Sequence, residues 1–223
     1  MFDKDALADR GFTVARSLLG AAECRALAAL WSDRGLFRKH IVMQRHGYGQ
    51  GEYQYFAYPL PEPVERLRQA LYPQLAEIAN RWNAALGLEK RFPPTLKGWL
   101  RECHAGGQKR PTPLLLRYGP GDYNCLHRDL YGDFVFPLQA TVLLSDPAKD
   151  FEGGEFMLVE QRPRMQSRGE VVPMKRGDAV IFAVNERPAK GTRGWHRTAM
   201  RHGVSSLHSG ERFTLGIIFH DAA

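Results

Sequence analysis

The chain has 223 residues, 43% of them hydrophobic and 25% charged, enough for one sizeable core and typical of a globular protein. No apolar run approaches the ~20 residues that span a bilayer. The opening MFDKDALADRGF lacks the apolar stretch and cleavage site of a secretory signal, so the expectation is a cytoplasmic protein with no membrane association. A formal charge of +7 favours polyanionic partners, nucleic acid first among them, with a merely basic soluble protein as the equal alternative, and nothing calls for an obligate protein partner.

In chain order, Cys24, Leu27, Leu30 and Trp31 recur at helical spacing and predict a helix over 21–33. Residues 38–58, RKHIVMQRHGYGQGEYQYFAY, interleave cations, aromatics and three glycines. Arg45 can track a phosphate, Tyr48, Tyr53 and Tyr55 can stack an extruded base, and the glycines suit a moving lid. A plain β-hairpin whose aromatics cover a barrel is the equal alternative. From Glu62 to Leu86 the residues Val64, Leu67, Leu71, Leu75, Ile78 and Trp82 fall three or four apart. Pro73 removes an amide donor there, so two consecutive helices or one kinked helix are expected.

Near residue 110 the pattern turns to β. Candidate strands are Leu114–Tyr118, Asn124–His127, Phe136–Leu144, Glu155–Val159, Glu170–Pro173, Ala179–Ala183, Met200–Val204 and Arg212–His220, divided by glycine-rich turns. The loop QRPRMQSR (161–168) could contact phosphates or simply be a solvated basic loop. Short strands at this spacing predict an α+β fold, a jelly-roll barrel with the N-terminal helices packed on one face. Residues 1–223 are expected as one domain, 1–110 giving mainly helical support and a possible substrate lid, 111–223 the catalytic core.

Within the β half, His127 and Asp129 are two apart, so on an extended chain both side chains reach one face while Arg128 points away. Two histidines and a carboxylate with open positions suit Fe(II) and O2 chemistry. His202 is the favoured third ligand, with His196 and His208 as alternatives; His104 and His220 read as structural. Arg212 follows His202 by ten residues across a Ser-Gly turn, so two neighbouring antiparallel strands could carry them. A guanidinium grips a carboxylate through two parallel hydrogen bonds, which fits Arg212 to the distal carboxylate of a keto-diacid, helped by the Thr214 hydroxyl. The three cysteines are odd in number and widely spaced, which excludes a disulfide framework and a CxxC zinc site. Cys125 is expected to be a buried inert thiol, the alternative being that it faces the His127 pocket.

These motifs, HxD…H followed by an arginine about ten residues on, resemble those of the 2-oxoglutarate/Fe(II) dioxygenase superfamily. Gly11–Val14, Leu18-Leu19 and Glu23–Leu27, with Phe151–Phe156, resemble its prolyl-hydroxylase-like members. The endings Met200–Ser205 and Leu215–Ala222 are similar to a group of prokaryotic oxygenases associated with alkylated nucleic acid in the manner of AlkB-type enzymes. The resemblance implies a double-stranded β-helix, Fe(II), 2-oxoglutarate and O2 as cofactor and co-substrates, and a co-substrate contact from Tyr118. Two departures from the AlkB-type pattern stand out: Leu116 replaces an asparagine, and Ile218 replaces a second arginine. The implied reaction is oxidative dealkylation of damaged nucleic acid, single-stranded or with a flipped base, releasing succinate, CO2 and formaldehyde. Hydroxylation of a protein side chain or small molecule is the alternative, and a non-catalytic β-barrel binding module a third reading.

Overall fold

A computed structural model describes residues 2–130, 132–147, 149–192 and 194–223; Arg193, in the loop before His196, lies outside them. Helix α1 (Lys4–Arg10) begins where the Asp3 carboxylate accepts from the Asp5 and Ala6 amides, satisfying two donors that the first turn leaves unpaired. Strand β1 (Phe12–Ala15), helix α2 (Ala21–Ala29), and strands β2 (Phe37–Val42), β3 (Gly49–Gln50) and β4 (Glu52–Phe56) follow. Helix α3 (Glu62–Ala85) runs unbroken through Pro73. The apolar side chains buried on either side of the proline, Leu67, Leu71, Leu75 and Ile78, outweigh its cost of about 3 kcal/mol. Helix α4 (Leu96–Ala105) is capped by the Thr95 hydroxyl accepting from the Gly98 amide.

The remaining strands are β5 (Leu114–Tyr118), β6 (Tyr123–His127), β7 (Leu138–Leu143), β8 (Phe151–Gly153), β9 (Phe156–Gln161), β10 (Arg168–Val172), β11 (Ala179–Ala183), β12 (Glu186–Gly191), β13 (Gly194–Val204), β14 (Leu207–Gly210) and β15 (Arg212–Ile218). A seven-stranded sheet has the order β1-β11-β7-β15-β5-β4-β2, and a second runs β10-β9-β13-β6-β3 with β12 on β13. β14 and β8 form a small separate ladder. Together they make the jelly-roll, double-stranded β-helix barrel.

The N-terminal part does more than give helical support. β1 pairs with β11 and β4 with β5, so it supplies both ends of the large sheet. Residues 38–58 take the hairpin alternative: β2 pairs with β4, and the connection crosses to the other sheet through β3 on β6. That crossing requires glycine, since a Cβ on Gly49, at φ +127°, would lie 2.4 Å from the Tyr123 carbonyl oxygen.

Period-two alternation divides the labour of the large sheet. On β15 the even-numbered Arg212, Thr214, Gly216 and Ile218 line an internal cavity. The odd-numbered Leu215 and Ile217 join the apolar core that also holds the buried face of α3. Arg68 of α3 clamps the strand by donating to the Ile218 carbonyl and pairing at 2.8 Å with Asp221, both side chains fully buried. The Tyr58 hydroxyl and the His104 ring complete the donor set around the Asp221 carboxylate, and the buried His220 ring accepts from the Phe136 amide. His104 and His220 therefore hold structure, away from the cavity.

Candidate active site

Both sheets face one cavity of about 350 Å³, in the range of small-molecule sites. β6 and β13 bring His127 and His202 opposite each other across a ladder, and Asp129 lies two residues past the end of β6. Their ligand atoms all lie within 4.8 Å of one another. His127 Nε2 is 3.4 Å from Asp129 Oδ1, and His202 Nε2 is 3.3 Å from Asp129 Oδ2. Such separations approach the edges of a coordination octahedron with bonds of about 2 Å, so the cluster could hold a metal ion. The His127 Nδ1–H donates to the Cys125 carbonyl at 2.7 Å, which leaves Nε2 as the free lone pair turned toward the cluster.

The charges are coupled. Burial would raise the Asp129 carboxyl, but hydrogen bonds and charge from His127 and His202 hold it well below the ordinary range. Burial would depress His127, and the bond from Asp129 reverses that to a net rise; in the more deeply buried His202, burial wins and the value falls. One carboxylate thus remains anionic beside two imidazoles, a donor set of hard oxygen and borderline nitrogen that suits Fe(II).

On the opposite wall Arg212 is 2% exposed, lying against the faces of Tyr118 and Phe151, 5.6 and 5.9 Å from the ring centres. Among the described residues, its buried Nε and Nη1 have no hydrogen-bond partner. Burial lowers its pKa to about 10, which leaves it charged at neutral pH. A buried cation without an anion is costly, and a carboxylate delivered from solution would satisfy it. Thr214 shares the Arg212 face, and burial pushes the Tyr118 phenol up to about 12, keeping it a neutral O–H. Where the AlkB-type pattern has an asparagine, Leu116 lines the wall; Asn124 enters the cavity from β6 instead and donates to Tyr118 Oη at 3.3 Å.

Some expectations need correction. His202 and Arg212 do not stand on neighbouring strands: β14 intervenes and β15 belongs to the other sheet, so they face each other across the cavity. Cys125 is exposed and lines the cavity, because the end of β6 forms its rim. Arg128 folds back over that rim and donates to Asn185 Oδ1 instead of pointing away. His196 and His208 lie outside the metal-ligand cluster, His208 within β14.

Of the proposed substrate contacts, Tyr48 and Tyr53 line the cavity. Tyr55 packs edge-on behind Tyr53 and under Arg38, and Arg45 is exposed in the turn before Gly47. His46, which the sequence reading passed over, stacks on Tyr48 with ring centres 5.3 Å apart. Gln139 was also missed; it is buried beside Asp129 and His202, and its signal was a lone amide in the apolar run from Phe136 to Leu144.

A family model described as "Oxygenase, catalysing oxidative methylation of damaged DNA" matches residues 51–222. Two proteins of Mycobacterium tuberculosis, strains H37Rv and CDC 1551, both described as uncharacterized, are 53% identical over 168 residues, 75% of this chain and 72% of theirs. A prolyl-4-hydroxylase of Pseudomonas putida superposes with a TM-score of 0.57 at 19% identity, covering 96% of this chain and 94% of that one. An oxidoreductase of the 2OG-Fe(II) oxygenase family from Burkholderia pseudomallei gives 0.55 at 15% identity, with 99% and 91% covered. At such identities the likeness of these two structures concerns the fold.

Proposed function

Because the chain belongs to the Oxygenase-NA family, we propose that it is an Fe(II)- and 2-oxoglutarate-dependent dioxygenase that removes alkyl groups from damaged nucleic acid. The observation that carries the co-substrate is Arg212, a buried cation whose Nε and Nη1 find no partner among the described residues, in the same cavity as the His127–Asp129–His202 cluster. Support for nucleic acid comes from the family description, the +7 charge and the aromatic rim at His46 and Tyr48.

In this reading His127, Asp129 and His202 hold the iron, which with 2-oxoglutarate and O2 supplies the oxidising power to place one oxygen atom in a substrate C–H bond and the other in succinate. Arg212 grips the distal carboxylate through paired hydrogen bonds, with the hydroxyls of Thr214 and Tyr118 donating to the same group. Leu114, Leu116 and Ile218 keep water from the co-substrate side of the cavity. Tyr53, whose phenol is raised by burial and then by Tyr55, presents a neutral O–H and a ring face to the incoming base. Hydroxylation of an N-methyl group yields a hemiaminal that expels formaldehyde, so an oxygenase acting on methylated DNA ends by removing the methyl.

A succinate-release assay with Fe(II), 2-oxoglutarate and either N-methylated oligonucleotides or peptide pools tests the reading. Formaldehyde and succinate in equal yield with the oligonucleotide is the expected result. Turnover with peptides alone would move the substrate class, and no succinate under any condition would sink the activity.

A further inference from the structure

One row of the large sheet runs out of the cavity without changing face. Thr141, Gly216, Leu114, Tyr55 and Lys39 stand opposite one another in turn on β7, β15, β5, β4 and β2. Directly opposed residues of an antiparallel pair project to the same side of a sheet. Thr141, Gly216 and Leu114 line the cavity, so Tyr55 and Lys39 continue its wall past the edge. The neighbouring row repeats the pattern, with Thr214, Leu116 and Tyr53 lining the cavity and Ile41 beyond them.

β2 is the outermost strand on that side, and its ladder to β4 slips at one residue. Phe37 pairs with Phe56 and Lys39 with Tyr55, which makes Arg38 the extra residue of a bulge. The bulge carries the Arg38 guanidinium over the Tyr55 ring, 4.5 Å from its centre, and Nε donates to the Pro111 carbonyl at 2.8 Å. Burial lowers the Arg38 pKa, Tyr55 opposes that, and the charge of Arg110 adds to it, so the two arginines are near enough to repel. Asp221 also acts on Arg38, but Arg68, Tyr58 and His104 already engage that carboxylate. His40 on the same strand has Glu52 at 3.0 Å, whereas Arg38, Lys39 and Arg110 make no ion pair among the described residues. Lys39 and Arg110 are exposed.

Like charges held together without a carboxylate are relieved by anions from solution, and a phosphodiester chain delivers several in a row. Gly216 in the cavity wall and Lys39 are three strand spacings apart, about 14 Å. A phosphate at Lys39 therefore belongs to a nucleotide a few positions from the one in the cavity. We propose that Arg38, Lys39 and Arg110 form a phosphate-binding shelf, continuous with the cavity wall, for the strand on one side of the target nucleotide. This rests on the nucleic-acid reading above.

The test uses the full chain loaded with Mn(II) and 2-oxoglutarate, and fluorescence anisotropy with two methylated probes, a trinucleotide and a single strand of about 15 nucleotides. Lys39→Ala with Arg110→Ala removes two exposed charges and leaves the Arg38 tie to Pro111 in place. It should weaken binding of the longer probe about tenfold and reduce the slope of log affinity against log salt by about 1.4. The trinucleotide should bind as to the wild type, and the melting temperature should stay the same. Arg25→Ala with Arg81→Ala, which takes the same charge from exposed positions on α2 and α3, should bind both probes as the wild type does. Unchanged affinity for the longer probe in the first pair, or an equal loss in both pairs, overturns the shelf and leaves the nucleic-acid reading standing. A wild-type protein that binds neither probe, while turning over 2-oxoglutarate with a peptide, overturns both.

Discussion

Gln139 Nε2 lies 2.7 Å from Asp129 Oδ2 and 3.3 Å from His202 Nε2, so a neutral amide is wedged between two of the three candidate ligands. The amide donor holds Oδ2 and so fixes how the carboxylate is presented to a cation. Gln139→Leu, similar in volume and without the donor, should weaken Mn(II) binding about 10- to 100-fold in a calorimetric titration, the usual scale for an outer hydrogen bond to a ligand. Wild-type affinity in this variant would reduce Gln139 to packing.

Arg212 opposes folding in the ligand-free chain. Its pKa falls to about 10 through burial, below its ordinary value, so the charged form is destabilised wherever it persists, and relief comes only as pH rises through about 10. Arg212→Met should therefore melt higher than the wild type without ligand, by roughly 2–4 °C per kcal/mol relieved. The same variant should lose all stabilisation by 2-oxoglutarate. A lower melting temperature, or retained stabilisation, would contradict the anchor role.

The third-ligand choice is tested by a pair of substitutions. His202→Ala should abolish stoichiometric Mn(II) binding, and His196→Ala should leave it intact. The opposite pattern would move the ligand to His196.

Acid should destabilise the chain before its carboxylates titrate. Burial, with a smaller push from Arg68, lowers His220 to about 4, while an unfolded histidine takes up its proton near pH 6.5. Between those values protons bind the unfolded state preferentially, so stability falls as pH falls, by at most about 3 kcal/mol from this group. Denaturant unfolding of the ligand-free protein at a series of pH values should show that decline, and His220→Asn should flatten it. An unchanged slope in the variant would assign the decline elsewhere.

That His127, Asp129, His202 and Arg212 would share one cavity was legible in the linear order, because the chemistry demands particular residue types at short spacings. Which sheet each residue joins was not. Ten residues can hold one turn or, as here, a third short strand, and Leu207–Gly210 has the composition of a turn although it pairs with β8. Likewise Glu186–Gly191 carries a proline and a lysine, and its strand character comes from pairing with β13 rather than from its own pattern. At Pro73 the sequence left two consecutive helices or one kinked helix open, and tertiary burial of α3 holds a single helix through the local breaker. The rim was the least readable part, because exposure of Cys125 and the return of Arg128 depend on where β6 ends.

β15 keeps its two duties on alternate residues. A change at Leu215 or Ile217 is felt by α3 and its packing, whereas one at Gly216 or Ile218 reshapes the cavity floor. A Cβ at Gly216 would lie 2.7 Å from Leu114 Cδ2, the end of a flexible side chain that must shift to admit it. The strand thus offers a place where what the barrel accepts can be re-specified by engineering while its scaffold stays as it is.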